Sequence, residues 1–142
     1  MAISFSTLDC DFSCKNRRKI ASFLKSIIVE AGCKVGDISV VFCSDEQILE
    51  TNRTYLQHDY FTDIITFDYC EGGVVSGDLI ISIDTVKNNS ETFNVSFIDE
   101  LHRVIIHGVL HLLGQGDKSK NDAKEMRRKE DLNLEKLAKH LG

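Results

Sequence analysis

The 142-residue chain predicts one α+β domain in which a small mixed sheet of about four strands packs with about five helices. Three observations carry that expectation. Residues 97–113 form an apolar run too long for an ordinary strand and apolar on nearly every side, so they read as a central, buried helix. Segments 37–43, 63–69 and 77–83 are rich in β-branched residues and read as strands. No proline, repeat, low-complexity tract or linker marks a boundary, so residues 1–142 are expected to fold as a unit.

Taken in order, residues 3–5 suit a short edge strand. Ile20, Phe23, Leu24, Ile27, Ile28 and Ala31 recur at helical spacing, and Gly32 stops that first helix. After strand 37–43, Ser44 and Gln47 have the form of a capping box. It opens a helix with Ile48, Leu49, Asn52 and Tyr55 on one side. Strands 63–69 and 77–83 are joined through Glu71-Gly72-Gly73, which suits an antiparallel hairpin with a loose loop. Residues 84–95 are polar and suit a short helix that ends before Ser96. Beyond the central helix, Asn121 is the expected cap of a final helix that turns Met126, Leu134, Leu137 and Leu141 inward.

Composition sets limits on function. No stretch of eighteen apolar residues is present, so no membrane span is expected. The N-terminal residues lack a basic region followed by an apolar one, so no secretory signal is expected. Cys10, Cys14, Cys33, Cys43 and Cys70 are odd in number and include no C-x-x-C pair. They read as reduced thiols of a cytoplasmic protein. The formal charge is −5, so affinity for a phosphate backbone would depend on local basic surface. Two groups qualify, Lys15/Arg17/Arg18/Lys19 and Lys124/Arg127/Arg128/Lys129, the second partly neutralised by Glu125, Glu130 and Asp131.

The chemistry concentrates at the end of the central helix. His107 and His111 sit four residues apart, so both imidazoles leave one face. Gly114 tolerates the left-handed turn that folds the chain back, and Asp117 follows within reach of an ion held by the two histidines. Two imidazoles, one carboxylate and an open fourth position describe a catalytic zinc site rather than a closed structural one. The pattern His-x3-His-x2-Gly-x2-Asp imitates that of the zinc proteases, which carry a Glu general base directly after the first His. Here that residue is Gly108, which has no proton chemistry. The peptidase reading weakens and the metal-dependent hydrolase reading does not. On the same helix face Glu100 lies two turns before His107, too far to reach it, and a salt bridge with Arg103 is its expected role.

His107-Gly108-x-Leu110-His111-Leu112-x-Gly114, followed by a turn and a third ligand, resembles the signature of the YbeY family, bacterial metal-dependent endoribonucleases of ribosomal RNA maturation. The resemblance extends from about Ser39 to Asp131. Asn52-x-x-Tyr55 followed by Thr62-Asp63 is similar to the family's second signature, and Gly77-Asp78 matches the Gly-Asp that opens a strand there. Read without the family, Asp63 is a hydrogen-bond former at a strand entrance and Gly77-Asp78 a turn. Two departures stand out: Asp117 replaces the family's third His, and Leu56 replaces its Arg. Arg53, His58 and Arg103 are therefore the candidates for the catalytic, phosphate-facing role of that Arg, with Asp63, Lys15, Arg17 and Arg18 as candidate RNA contacts.

The resemblance implies a single-strand-specific endoribonuclease that matures the 3′ end of 16S ribosomal RNA and serves ribosome quality control. It would hold one Zn²⁺ or another divalent ion at His107, His111 and Asp117 and partner with the small ribosomal subunit. Two alternatives come from other classes: a metal-dependent hydrolase of a non-RNA substrate, and a ribosome assembly factor whose metal is structural. The first reading predicts that the three candidate ligands converge, and that their cleft is reached by at least one of Arg53, Arg103 or the Lys15–Lys19 group.

Overall fold

A computed structural model describes residues 2–56 and 62–142. Strands β1 (Ile3–Leu8), β2 (Lys34–Cys43), β3 (Ile64–Asp68) and β4 (Val74–Ser82) form one sheet of order β1-β2-β4-β3. β1 and β4 flank β2 in parallel, and β3 runs antiparallel on the far edge, so the sheet is mixed as expected. Helices α1 (Arg17–Glu30), α2 (Asp45–Thr51), α3 (Ile83–Thr92), α4 (Phe97–Leu112) and α5 (Lys120–Leu141) complete the fold. Gly72 and Gly73 both take positive φ and close the β3–β4 hairpin.

Helix ends follow the sequence closely. Ser44, Ser82, Ser96 and Ser119 each accept a hydrogen bond from the N–H three residues on. The last of these corrects the Asn121 cap: Ser119 takes that role and Asn121 lies inside α5, because the serine two residues nearer the chain reversal is already extended. At Ser44 the expected box is half right. Its hydroxyl accepts from Gln47, but its own N–H donates to Asp9 across the β1 end rather than to Gln47. At the other end of α4, Gly114 (φ +94°) donates to His111 and Gln115 to Leu110, the paired bonds of a Schellman turn.

Several elements run past their expected bounds. β1 extends to Leu8 because it pairs in parallel along β2, from Ile3 opposite Ile38 to Leu8 opposite Cys43. β2 begins at Lys34, with an irregularity between Val35 and Ile38. A π-helical segment, Asn52–Leu56, follows α2. Wider winding there shifts the facing of successive residues. Ile48 and Asn52 are buried as expected, while Tyr55, expected on that same side, is exposed.

α4 is the hub. Of its middle turns only Arg103, His107 and His111, spaced four apart, remain partly exposed, and the residues between them from Val104 to Leu112 are buried. Leu79, Ile81 and Val75 from the sheet, Ile20, Leu24 and Ile28 from α1, and Met126 and Leu137 from α5 join it in one core. Leu134 and Leu141 pack partly buried against that core. All five cysteines are free thiols, and burial pushes the Cys43 thiol up to about 12. No helix among the described residues is long and apolar enough to cross a membrane.

Gly77 is not a turn residue. It lies inside β4, where a Cβ would come within 2.5 Å of the Phe67 carbonyl oxygen and 2.8 Å of Leu112 Cδ2. A strand carbonyl in a paired ladder cannot retreat without breaking its own bond. Gly77→Ala should therefore cost about 1–3 kcal/mol, read as a lower urea midpoint at an unchanged slope.

Candidate metal centre

His107 and His111 project from the exposed stripe of α4, and the turn after Gly114 returns Asp117 to face them. Gln115 fastens that turn to α5. Its amide nitrogen donates to the Gly116 carbonyl, 3.0 Å away, and its oxygen accepts from Lys129 at 2.7 Å. The donor atoms of the three side chains all lie within 4.8 Å of one another. Asp117 Oδ2 stands 3.4 Å from His107 Nε2 and 3.3 Å from His111 Nε2. A tetrahedral ion with bonds of about 2.0–2.1 Å separates neighbouring ligand atoms by roughly 3.3–3.4 Å. The side chains therefore fit a single small divalent ion, and three ligands leave one tetrahedral position to substrate or water.

The fit extends beyond the ligands. His107 Nδ1 meets Glu130 Oε2 at 2.6 Å, which leaves Nε2 to point its lone pair at Asp117 and the ion position. Glu130 is in turn held by Arg103, whose Nη1 donates to Glu130 Oε1 at 2.9 Å and whose Nη2 donates to Asp131 at 2.7 Å. This corrects one expectation and extends another. Arg103 pairs with Glu130 and Asp131 rather than with Glu100, and Glu130, which also lies 3.8 Å from Arg127 of the neighbouring basic run, is in addition a buried support of His107. Nothing in the local sequence marks Glu130. The only available signal is that a metal-bound His needs an acceptor behind it, and α5 offers several acids.

Burial by itself would push the His107 imidazole down. The hydrogen bond and charge of Glu130, with Asp117 and Asp63 beyond, outweigh it and hold His107 above its ordinary value. Glu130 mirrors this: burial would push it up, but His107 and Arg103 hold it below the usual carboxylate range. In the metal-free protein the His107 contribution to stability is thus present at low pH and lost as pH rises through the raised value. That of Glu130 is present above its ordinary value and lost as pH falls through the lowered one.

The three candidate ligands open into a cleft of about 660 Å³ whose walls include Asn52, Asp63, Thr66, Asp68 and Lys118. Asp63 faces this space. Burial pushes its carboxyl up, against the opposing pull of His107 and of the Asp63 and Ile64 N–H groups. It is thus both the strand-entrance hydrogen-bond former and a lining group of the cleft. Arg103 does not line the cleft but walls an adjoining hollow that also contains His107 and Asp63. Exposed Arg53 is the neighbour of cleft-lining Asn52 and is not itself among the lining residues. Lys15, Arg17 and Arg18 precede or open α1. Arg17 lines a separate depression with Phe5 and Phe12, and none of the three reaches the cleft wall. Among the described residues the cation that does is Lys118, which has no distinguishing feature in the sequence except its place beside Asp117. His58 and the side chain of Leu56 lie outside the described residues. Gly108 faces away from the ligands: a Cβ there would meet Ile64 Cδ1 at 2.8 Å and Leu79 Cδ2 at 2.9 Å. The place of the protease general base is packed against the sheet.

The sequence profile of the family described as Endoribonuclease YbeY matches residues 4–138. The chain is 50% identical over 131 residues to the Endoribonuclease YbeY of Parabacteroides distasonis, with 92% of each protein covered. It is 47% identical over 137 residues to that of Azobacteroides pseudotrichonymphae, covering 96% of this chain and 99% of the relative. A solution structure of a Thermotoga maritima protein superposes with a TM-score of 0.68 at 27% identity, covering 95% of this chain and 88% of that one.

The hydrogen-bond chain behind His107 should be measurable. Glu130→Ala is expected to weaken Zn²⁺ binding about 10- to 100-fold, and Arg103→Leu to follow in the same direction by freeing the carboxylate it orients. Chelator competition reads both, and unchanged affinity in both would show that the bond to His107 does not tune the site. Protonation of His107 occupies the Nε2 lone pair an ion needs. Affinity should accordingly fall on acidification below the raised His107 value, by up to about tenfold per pH unit for one displaced proton. Titration in buffers of different ionisation enthalpy would count that proton.

Proposed function

The chain belongs to the YbeY endoribonuclease family, and from that premise we propose that it is a metal-dependent endoribonuclease that cleaves single-stranded RNA with an ion held by His107, His111 and Asp117. The observation that carries this is the convergence of those three side chains on the floor of an open cleft, at spacings a single divalent ion satisfies. We take the ion to be Zn²⁺, on the strength of two imidazoles and one carboxylate as donors. Ribosomal RNA at the 3′ end of its 16S precursor, the small subunit as partner and a cytoplasmic site of action are the finer parts of the same proposal, supported by the family alone.

When bound, the ion supplies Lewis-acid polarisation of a phosphoryl oxygen and eases deprotonation of water beside it. The chain's own groups do the rest. Lys118 at the cleft wall meets a backbone phosphate and draws the strand toward the ligands. Asp63, a carboxyl that burial pushes toward a higher value, faces the same space and can take up a proton there. Glu130 keeps the His107 Nδ1 proton on the far side, so the ligating nitrogen stays directed at the ion position. Gly108, packed on Leu79 and Ile64, leaves no room for the general base of a zinc protease, which disfavours the peptide-hydrolase alternative.

Chelation combined with one substitution separates this reading from a structural metal. Chelated wild type should still unfold cooperatively. Metal-free Asp117→Ala should match it within about 0.5 kcal/mol, since the Asp117 side chain is 37% exposed and ties down no core. The same variant should lose cleavage of an unstructured RNA. Collapse of the fold on chelation would instead establish the structural role.

A further inference from the structure

Beside the metal cleft, and sharing Asp63 and His107 with it, lies a smaller hollow of about 250 Å³ walled by α3, α4 and α5. His107 is therefore a partition between two depressions and not the end wall of one. Lys118 lies in the first, and Arg103 and Arg127 in the second, so cations stand on both sides of the ligand cluster. Metal holding accounts for Arg103 but not for the rim of the hollow. Phe93, which caps the C-terminus of α3, is 58% exposed, an uncommon setting for a phenylalanine. Arg127 reaches the same rim from α5 with its side chain 60% exposed, 3.8 Å from Glu130.

Resting on the RNA-cleaving reading above, we infer that this hollow is a nucleotide subsite for the residue next to the cleaved phosphodiester. The base stacks on Phe93 and its phosphate meets Arg127. The acids in the hollow do not oppose this. Glu130 is matched by Arg103 and His107, and burial pushes up the carboxyls of Glu100 and of Asp63, which the hollow shares with the cleft. They form the floor, where they can accept from base N–H or ribose hydroxyl groups, while the cation at the rim takes the phosphate. An aromatic platform beside the cutting position selects unpaired RNA, because a base held in a duplex must leave its stack to reach the ring.

The chain contains no tryptophan, so Phe93→Trp places a single fluorescent indole on the rim. Titration of the metal-loaded variant with a 2′-O-methylated single-stranded hexanucleotide should give saturable quenching, and the same sequence as a duplex should give much less. Phe93→Ala should raise KM for single-stranded RNA about fivefold or more while chelator competition shows unchanged Zn²⁺ affinity, and Phe93→Tyr should restore KM. Arg127→Gln should lower the salt dependence of binding by about 0.7 in the log–log slope. Cleavage by the wild type, with no quenching in Phe93→Trp and an unchanged KM in Phe93→Ala, would overturn the subsite and leave the RNA reading standing. A wild type that neither binds nor cuts single-stranded RNA would remove both.

Discussion

The close seating of α4 on the sheet is the constraint on which the rest depends. At Gly108 the helix lies so near β3 and β4 that a single added carbon would touch Ile64 and Leu79. That approach buries the middle turns of the helix on almost all sides and leaves one polar stripe there, Arg103, His107 and His111, to reach the surface. Two of the three candidate ligands, His107 and His111, are thus carried by a helix whose middle turns are buried on almost all sides. A metal site gains from this, because side chains held in place by packing lose little freedom when an ion arrives.

The same burial creates an electrostatic problem. Two imidazoles and a guanidinium emerge from an apolar helix, and each polar group taken from water needs a partner. α5 supplies it: Glu130 stands between Arg103 and His107 and bonds to both. One carboxylate thereby docks two helices, balances the partly exposed Arg103 cation and sets the orientation of a candidate ligand. Stability and metal binding share these contacts, which is why metal affinity and the stability of the metal-free chain must be measured separately in any variant of the network.

Around this centre the molecule separates positioning from access. The turn that carries Asp117 is held by a Schellman motif and by Gln115, while the cleft and the side hollow are lined by groups from β3, α3, α4 and α5. The overall charge of −5 is compatible with a polyanionic substrate because Lys118 and Arg127 stand at the two depressions, away from the basic start of α1. Local potential at the site, rather than the total, governs such an encounter.

Much of this was legible in the sequence. Helical spacing places His107 beside His111, a glycine ends the helix, and Ser44 opens α2. Each of these is a contact over three to five residues, determined by the geometry of the backbone itself. The order of burial along α4 and the strand assignments follow from the same short-range periodicity. What tertiary structure decided lies across longer separations. Glu130 meets His107 over 23 residues, and spacing along the chain cannot choose it from the acids around it. The removal of Lys15, Arg17 and Arg18 from the cleft, the service of Arg103 as a support, and the outward turn of Tyr55 depend likewise on how helices dock. Docking is chosen by the packing of the whole core, so these positions acquire their roles only once the chain has folded.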